Sequence, residues 1–200
     1  MMGVGISFNY FPWQSAAPPF IPNTYIFDDF NRADNSTSMG NAVTGQPWII
    51  QVDAWGIFNN QAHVSTSAGQ STAVIDSLHA DNIAIQVTFA LNSNEQRLIF
   101  RYGGIANHWY VRRNGANYEL VKFIANSPVS MGTFTTTPAS NDVIRVELYG
   151  SSIAVKINGN EVITADDSFN QSATIHGIGS LSNNTPLWDD FSVTEIRRRM

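Results

Sequence analysis

Ile26-Phe27-Asp28-Asp29-Phe30-Asn31-Arg32-Ala33-Asp34 stands near the start of the chain and Leu187-Trp188-Asp189-Asp190-Phe191-Ser192-Val193 near its end. Both set two adjacent carboxylates directly before a phenylalanine, inside an apolar run with the character of a strand. If the two runs are neighbouring strands, the domain closes by pairing its first strand with its last. All that lies between them then reads as one β-sandwich.

From Tyr25 onward the dominant period is two. Ile83, Ile85, Val87, Phe89 and Leu91 alternate with Ala84, Gln86, Thr88 and Ala90, which gives one apolar face and one small or polar face. Ile144, Val146 and Leu148 alternate with Arg145 and Glu147, and Ile153, Val155 and Ile157 with Ala154 and Lys156. Asn158-Gly159 and Asn114-Gly115 each sit between two such runs, and Asn59-Asn60 is a weaker third signal. A two-residue type I′ turn needs positive φ at both centres, which Asn and Gly tolerate best. No stretch keeps a 3.6-residue apolar stripe for three turns. Roughly a dozen short strands joined by hairpins predict an all-β fold of two packed antiparallel sheets.

Two hundred residues fit one domain, and 43% hydrophobic residues supply a full core. The net charge of −5 argues against nonspecific binding of nucleic acid. Arg197-Arg198-Arg199 is shorter than a nucleic-acid patch and reads as a solvated tail. The absence of cysteine excludes disulfides, thiol nucleophiles and cysteine-ligated metals. It leaves the compartment open, because a core of this size folds without disulfides. No segment is long and apolar enough to span a bilayer as a helix, so no membrane partner is expected. Met1-Met2-Gly3-Val4-Gly5 lacks the positive and compact apolar regions of a secretory signal, which predicts a chain kept without export.

The first 24 residues differ from the rest. Phe8, Tyr10, Phe11, Trp13, Phe20 and Ile21 alternate with Pro12, Pro18, Pro19 and Pro22, and no Asp, Glu, Lys or Arg occurs among them. The prolines forbid a helix and favour extended backbone. Solvated disorder prefers charge and few aromatics, so this arm is expected to pack on something. Two surfaces are open to it, that of its own domain and that of a neighbouring subunit. The second makes it an assembly arm anchored by Phe8, Tyr10, Phe11, Trp13 and Phe20. The expected organisation is an arm at 1–24, a sandwich at 25–196 and a basic tail at 197–200.

The order of motifs carries a resemblance. Asp29-x-Phe-x-x-Ala33-Asp34 is followed by Gly40, Gly45 and Trp48, then by Trp55-Gly56-Ile57 and Asn60-Gln61-Ala62. The middle holds Leu98-Ile99-Phe100-Arg101-Tyr102, Asn107-His108-Trp109-Tyr110-Val111 and Tyr118-Glu119-Leu120-Val121-Lys122. Arg145 to Gly150, Val155 to Gly159, Asp166 to Phe169, Gly177-Ile178-Gly179 and Trp188 to Val193 complete the series. Over residues 25–196 this series resembles concanavalin A-like or laminin-G-like jelly-roll domains. The resemblance implies a curved sandwich of two sheets of six or seven strands with paired termini. Such domains serve as carbohydrate-binding modules, glycosidase domains, adhesion modules and parts of virions, and fold alone does not choose among them. The opening at Asp28-Asp29-Phe30-Asn31-Arg32-Ala33-Asp34 is similar to domains of bacteriophage tail and head proteins.

Candidate sites follow. Asp28, Asp29, Asp189 and Asp190 would crowd if the terminal strands pair, and a structural calcium ion would relieve their repulsion. The resemblance points the same way, since relatives often hold calcium near their paired termini. Alternatively these aspartates cap turns or pair with Arg32, and Arg32 and Arg101 are expected to pair with a carboxylate such as Asp29 or Asp190. Trp109 and Tyr110 are adjacent on a strand, so one must face outward. With Arg112 and Arg113 they form the candidate contact for carbohydrate or a partner. Trp48, Trp55 and Trp188 are expected in the core. His63, His79, His108 and His176 have no metal-ligand spacing and are expected at surfaces or turns. Laminarinase-like relatives carry their acids as Glu-x-Asp-x-x-Glu, whereas Glu95, Glu119, Glu147, Glu161 and Glu195 stand apart from one another here. No catalytic residue is therefore expected.

The expected function is a non-enzymatic structural or adhesion module of a bacteriophage virion (tail, baseplate or head decoration), assembled in the host cytoplasm. Its expected partners are other virion proteins, further copies of itself and a host-surface glycan. A free carbohydrate-binding, lectin-like module is the first alternative. A glycoside hydrolase of the laminarinase-like superfamily is the second.

Overall fold

A computed structural model describes residues 21–67, 69–181 and 186–197. Among these the chain forms fifteen strands and no helix, so none of it is a helix long and apolar enough to cross a membrane. The strands make two antiparallel sheets. The eight-stranded sheet runs β13 (Asn160–Asp166), β12 (Ser152–Ile157), β11 (Asp142–Tyr149), β6 (Ile83–Phe89), β15 (Leu187–Glu195), β4 (Gln61–Thr66) and β3 (Ala54–Phe58), with β1 (Thr24–Asp28) also paired to β15. The seven-stranded sheet runs β10 (Ser127–Thr135), β9 (Asn117–Ile124), β8 (His108–Asn114), β7 (Gln96–Phe100), β14 (Ile175–Ser180), β5 (Ser71–Asp76) and β2 (Ile49–Val52).

The matching ends pair as the sequence predicts. Ile26 lies opposite Val193, Phe27 opposite Ser192 and Asp28 opposite Phe191. On that same side of β15, Leu187 and Trp188 pair with His63 and Ala62 of β4. One edge of β15 thus serves two strands in succession. The change-over falls at Asp189-Asp190, where Asp190 takes a positive φ of 51° and the register with β6 shifts. A short polar side chain tolerates that left-handed conformation, which gives the second carboxylate pair its backbone role.

Two hairpins turn as predicted. Asn59 and Asn60 have φ of 48° and 60°, and Asn158 and Gly159 have 51° and 83°, the positive pair a type I′ turn requires. The third is displaced by one residue from the predicted Asn114-Gly115. Asn114 pairs with Asn117, so the turn is Gly115-Ala116, with Gly115 at φ 60°. Positive φ at the first centre alone is the type II′ form, for which glycine is preferred there.

Between the sheets lies an aromatic core. Trp55 packs on Trp188 with ring centroids 5.0 Å apart, and Trp48 meets Phe191 edge-on at 5.1 Å. β11 alternates buried and half-buried residues along its whole length, as its period of two predicts. Two expectations need correction. His108 and His176 are fully buried rather than at surfaces or turns. Among the described residues, buried Arg101 pairs with no carboxylate. It donates to the carbonyls of Asp167 and Gly150, which lets the guanidinium anchor two loops at once. The predicted arm anchors Phe8, Tyr10, Phe11, Trp13 and Phe20 lie outside the described residues, as does the tail beyond Arg197.

Candidate functional site

The paired termini bring one carboxylate into the protein. Asp28 is fully buried and accepts from Arg32 Nη1 at 2.9 Å and Nη2 at 2.8 Å, from Trp48 Nε1 at 2.7 Å and from the Phe30 amide at 3.1 Å. The Arg32 partner is therefore Asp28, not Asp29 or Asp190. A bidentate guanidinium and an indole N–H satisfy a buried carboxylate without a metal ion. Asp29 accepts from the amide of Asn31 at 3.0 Å, and Asp189 from that of Asp190 at 2.9 Å. Burial, with the charges of Asp190 and Asp29 adding to it, holds the Asp189 carboxyl above the usual range. Among the described residues no three acidic or histidine side chains gather as a metal site.

The predicted contact residues lie on β8 at the seven-stranded sheet. Trp109 enters the core and donates Nε1 to the Phe169 carbonyl at 3.0 Å, while Tyr110 takes the outer face. The outward position does not expose Tyr110. With Val74, Ile99, Tyr102 and Val121 it forms a second apolar cluster, flanked by Phe123 and Ile175. The Arg97 guanidinium lies 4.3 Å from the centre of the Tyr110 ring. Register explains the charges beside it: Arg97 faces Arg112 across β7 and β8, and Arg112 faces Glu119 across β8 and β9. Arg112 meets Glu119 at 2.7 Å and Glu95 at 3.0 Å, and Glu95 reaches Arg97 at 3.2 Å. Two cations side by side are held by two carboxylates. Arg113 turns instead to the Asn92 carbonyl at 3.4 Å.

His108 sits among Phe123, Tyr110 and Tyr102, with ring centroids 5.0, 5.8 and 5.6 Å away. Burial and the nearby Arg97 charge push its pKa down to about 4, against the pull of the Gly104 carbonyl. It is neutral at pH 7. Arg97, Glu95 and His108 were not singled out from the sequence as members of this face. The signal lay in strand alternation, which puts Arg97 beside Ile99 and His108 beside Tyr110, and in the hairpin register, which sets Glu119 opposite Arg112.

The outer face of the eight-stranded sheet is different in kind. It carries an open groove of about 870 Å³ lined by Arg145, Glu147, Tyr149, Lys156, Glu161 and Arg197, among others. Glu147 accepts from Arg145 at 3.0 Å and from Lys156 at 2.8 Å. An aromatic ring beside fixed donors and acceptors suits a polyhydroxylated ligand.

No family model and no curated protein matches the chain. Solved structures do. A carbohydrate-binding module, CBM66, from Bacillus subtilis is 16% identical, with 81% of this chain and 94% of that one covered at a TM-score of 0.55. Bacillus licheniformis β-glucanase is 12% identical over 86% and 97%, with a TM-score of 0.56. LamAcat from Zobellia galactanivorans is 12% identical over 84% and 96%, with a TM-score of 0.52. At these identities the likeness is one of fold. Two antiparallel sheets, paired termini and these neighbours make the chain a concanavalin A-like jelly-roll sandwich.

Proposed function

We propose that the chain is a non-enzymatic adhesion or structural module of a bacteriophage virion, presenting a lectin-like sandwich to glycan. One observation carries the non-enzymatic part. Three glutamates of the two outer faces are neutralised in ion pairs: Glu95 and Glu119 by Arg97 and Arg112, Glu147 by Arg145 and Lys156. Glycoside hydrolysis needs a general acid whose pKa is raised. Burial alone would raise Glu119, but hydrogen bonds from Ser130 and Arg112 bring it below the usual value. Burial is likewise outweighed at Glu147 by hydrogen bonds from Lys156 and Arg145.

The groove beside Tyr149 supports glycan as the ligand class, and the neighbouring structures include a module whose name states carbohydrate binding. The virion assignment rests on the order of motifs from Asp28 to Asp34 and onward. Three measurements test the whole. Immobilised glycans should retain the protein, with Lys156→Ala and Tyr149→Ala weakening retention at least several-fold. No reducing sugar should be released from the glycans it binds, and release would overturn the non-enzymatic reading. The polypeptide should be found in purified phage particles. Absence from them, with glycan binding kept, would favour a free lectin-like module.

A further inference from the structure

Given the glycan reading of the groove beside Tyr149, on which this rests, we propose that the adjoining end of the sandwich holds a second subsite for the same ligand. That ligand is then a neutral oligosaccharide long enough to reach both. A pocket of about 530 Å³ opens there. Ala80 and Asp81 line it from the loop between β5 and β6, and Ser168, Asn170, Gln171 and Ser172 from the loop between β13 and β14. It adjoins the groove. Tyr149 lines the groove, and the amide of the next residue, Gly150, donates to the Asp81 carboxylate. Ile196 also lines the groove, and its amide donates to the Asn82 carbonyl at 2.8 Å. Asp81 and Asn82 are thus bonded to the wall of the groove, while Asp81 itself forms a wall of the pocket.

The frame of this pocket is fixed from within the fold. Buried Arg101 donates to the carbonyls of Asp167 and Gly150, and Trp109 Nε1 to that of Phe169. Asn170 Nδ2 donates to the carbonyls of Arg101 at 3.1 Å and Asn107 at 2.9 Å. The Asp167 carboxylate accepts from the Phe169 amide at 2.8 Å. On the other wall the Tyr25 ring stacks at 3.6 Å on His79, the residue before Ala80. The lining side chains are spent differently. Among the described residues, Ser168, Gln171 and Ser172 make no side-chain hydrogen bond. A pinned backbone that carries unused side chains is preorganised, because a ligand bonds to it without the cost of ordering a loop.

The chemistry of the lining names the ligand class. Hydroxyls and a primary amide both donate and accept, which matches sugar hydroxyl groups rather than an ion. Charge points the same way. Asp81 and Asp167 both act on the Arg101 guanidinium, and Lys122 meets Asp167 at 2.6 Å, so two carboxylates stand against two cations. No net charge is left there to select an anion or a cation. Among the described residues Ala80 is the one apolar member of the lining, and no aromatic ring belongs to it. Such a pocket holds a lone sugar weakly. A chain of sugars anchored in the groove presents its next units to the pocket at high effective concentration, so the second contact adds to the first. Retention should therefore depend on chain length.

The test passes the full-length protein over an array of neutral and uronic-acid oligosaccharides, in matched series from disaccharide to octasaccharide. Retention on at least one neutral series should rise several-fold once the chain is long enough to leave the groove. Gln171→Ala combined with Ser172→Ala should abolish that rise. The same double variant should hold the shortest retained members as well as the parent does, which also shows that it is folded. Lys156→Ala in the groove should weaken long and short members alike. Retention independent of length would overturn the inference and leave the glycan reading intact. So would a length effect that the double variant keeps, equal loss of short and long members in that variant, or retention of the uronic-acid series alone. Retention of no series would overturn the glycan reading and the inference with it.

Discussion

Asp28 concentrates the polar energetics of the paired ends. It is fully buried, and Arg32, Trp48 and the Phe30 amide all donate to it. Asp28→Ala would leave a guanidinium and an indole N–H facing an apolar cavity, and removing one partner of such a pair costs about 3 kcal/mol. The urea midpoint should fall accordingly, and Asp28→Asn should lose less because one acceptor oxygen remains. The buried histidines make a separate prediction about pH. Burial brings His108 and His176 down to about 4, from 6.5 in the open chain. Their contribution to stability is complete above pH 6.5. As pH falls from 6.5 towards 4 the unfolded chain takes up protons that the folded one refuses, so stability drops through that window. The lowered carboxyls of Glu119 and Glu147 act below their ordinary 4.5, so melts between pH 7 and 5 report the histidines. His108→Gln should flatten that slope.

At the scale of elements, the close approaches matter more than the turns. Gly56 in β3 lies under the bridge between Asn35 and Ile57, and a Cβ there would fall 1.9 Å from the Asn35 carbonyl oxygen. Backbone cannot yield as a flexible side chain can. Gly56→Ala should therefore break the bridge and destabilise by about 1–3 kcal/mol, the range for overpacking. Loss of the Asn35 and Ile57 amides from slow hydrogen exchange would check it, and unchanged protection would count against the assigned contact. The hairpins are more tolerant, because Gly115 and Gly159 have open space where a Cβ would go and bear only the strain of positive φ. Strand alternation was legible for β6, β11 and β12. The Gly115-Ala116 turn was missed by one residue because Asn114 completes a cross-strand pair with Asn117, a choice made by register and not by the dipeptide.

For the whole molecule, closure by the last strand sets how it folds. Asn23 Nδ2 donates to Glu195 across 172 positions of sequence, and β15 also pairs with β6 and β4. Contacts this distant slow folding, and sandwiches of such topology fold in about milliseconds to seconds. A chain ending at residue 186 loses Trp188, Phe191 and Val193 from the core and leaves β1, β4 and β6 without their shared neighbour. It should be unable to fold, seen as collapse of amide dispersion and of the β circular-dichroism band. Retention of a folded spectrum would mean that the paired ends are ornamental.

The sequence by itself determined the class of fold, because a period of two, hairpin dipeptides and duplicated end motifs are local signals that each residue carries wherever it is placed. The family resemblance of the sequence also implied that Trp48, Trp55 and Trp188 are core, and all three are buried. Only the tertiary structure decided which aspartate takes Arg32, that Tyr110 faces outward and is still dry, and that His108 and His176 are buried. Those outcomes depend on which strands become neighbours and what lies above them, and a residue 70 or 170 positions away leaves no trace in the local pattern. Burial also set the charges, because desolvation by distant strands made the histidines neutral, and hydrogen bonds from arginines and a lysine held Glu119 and Glu147 ionised.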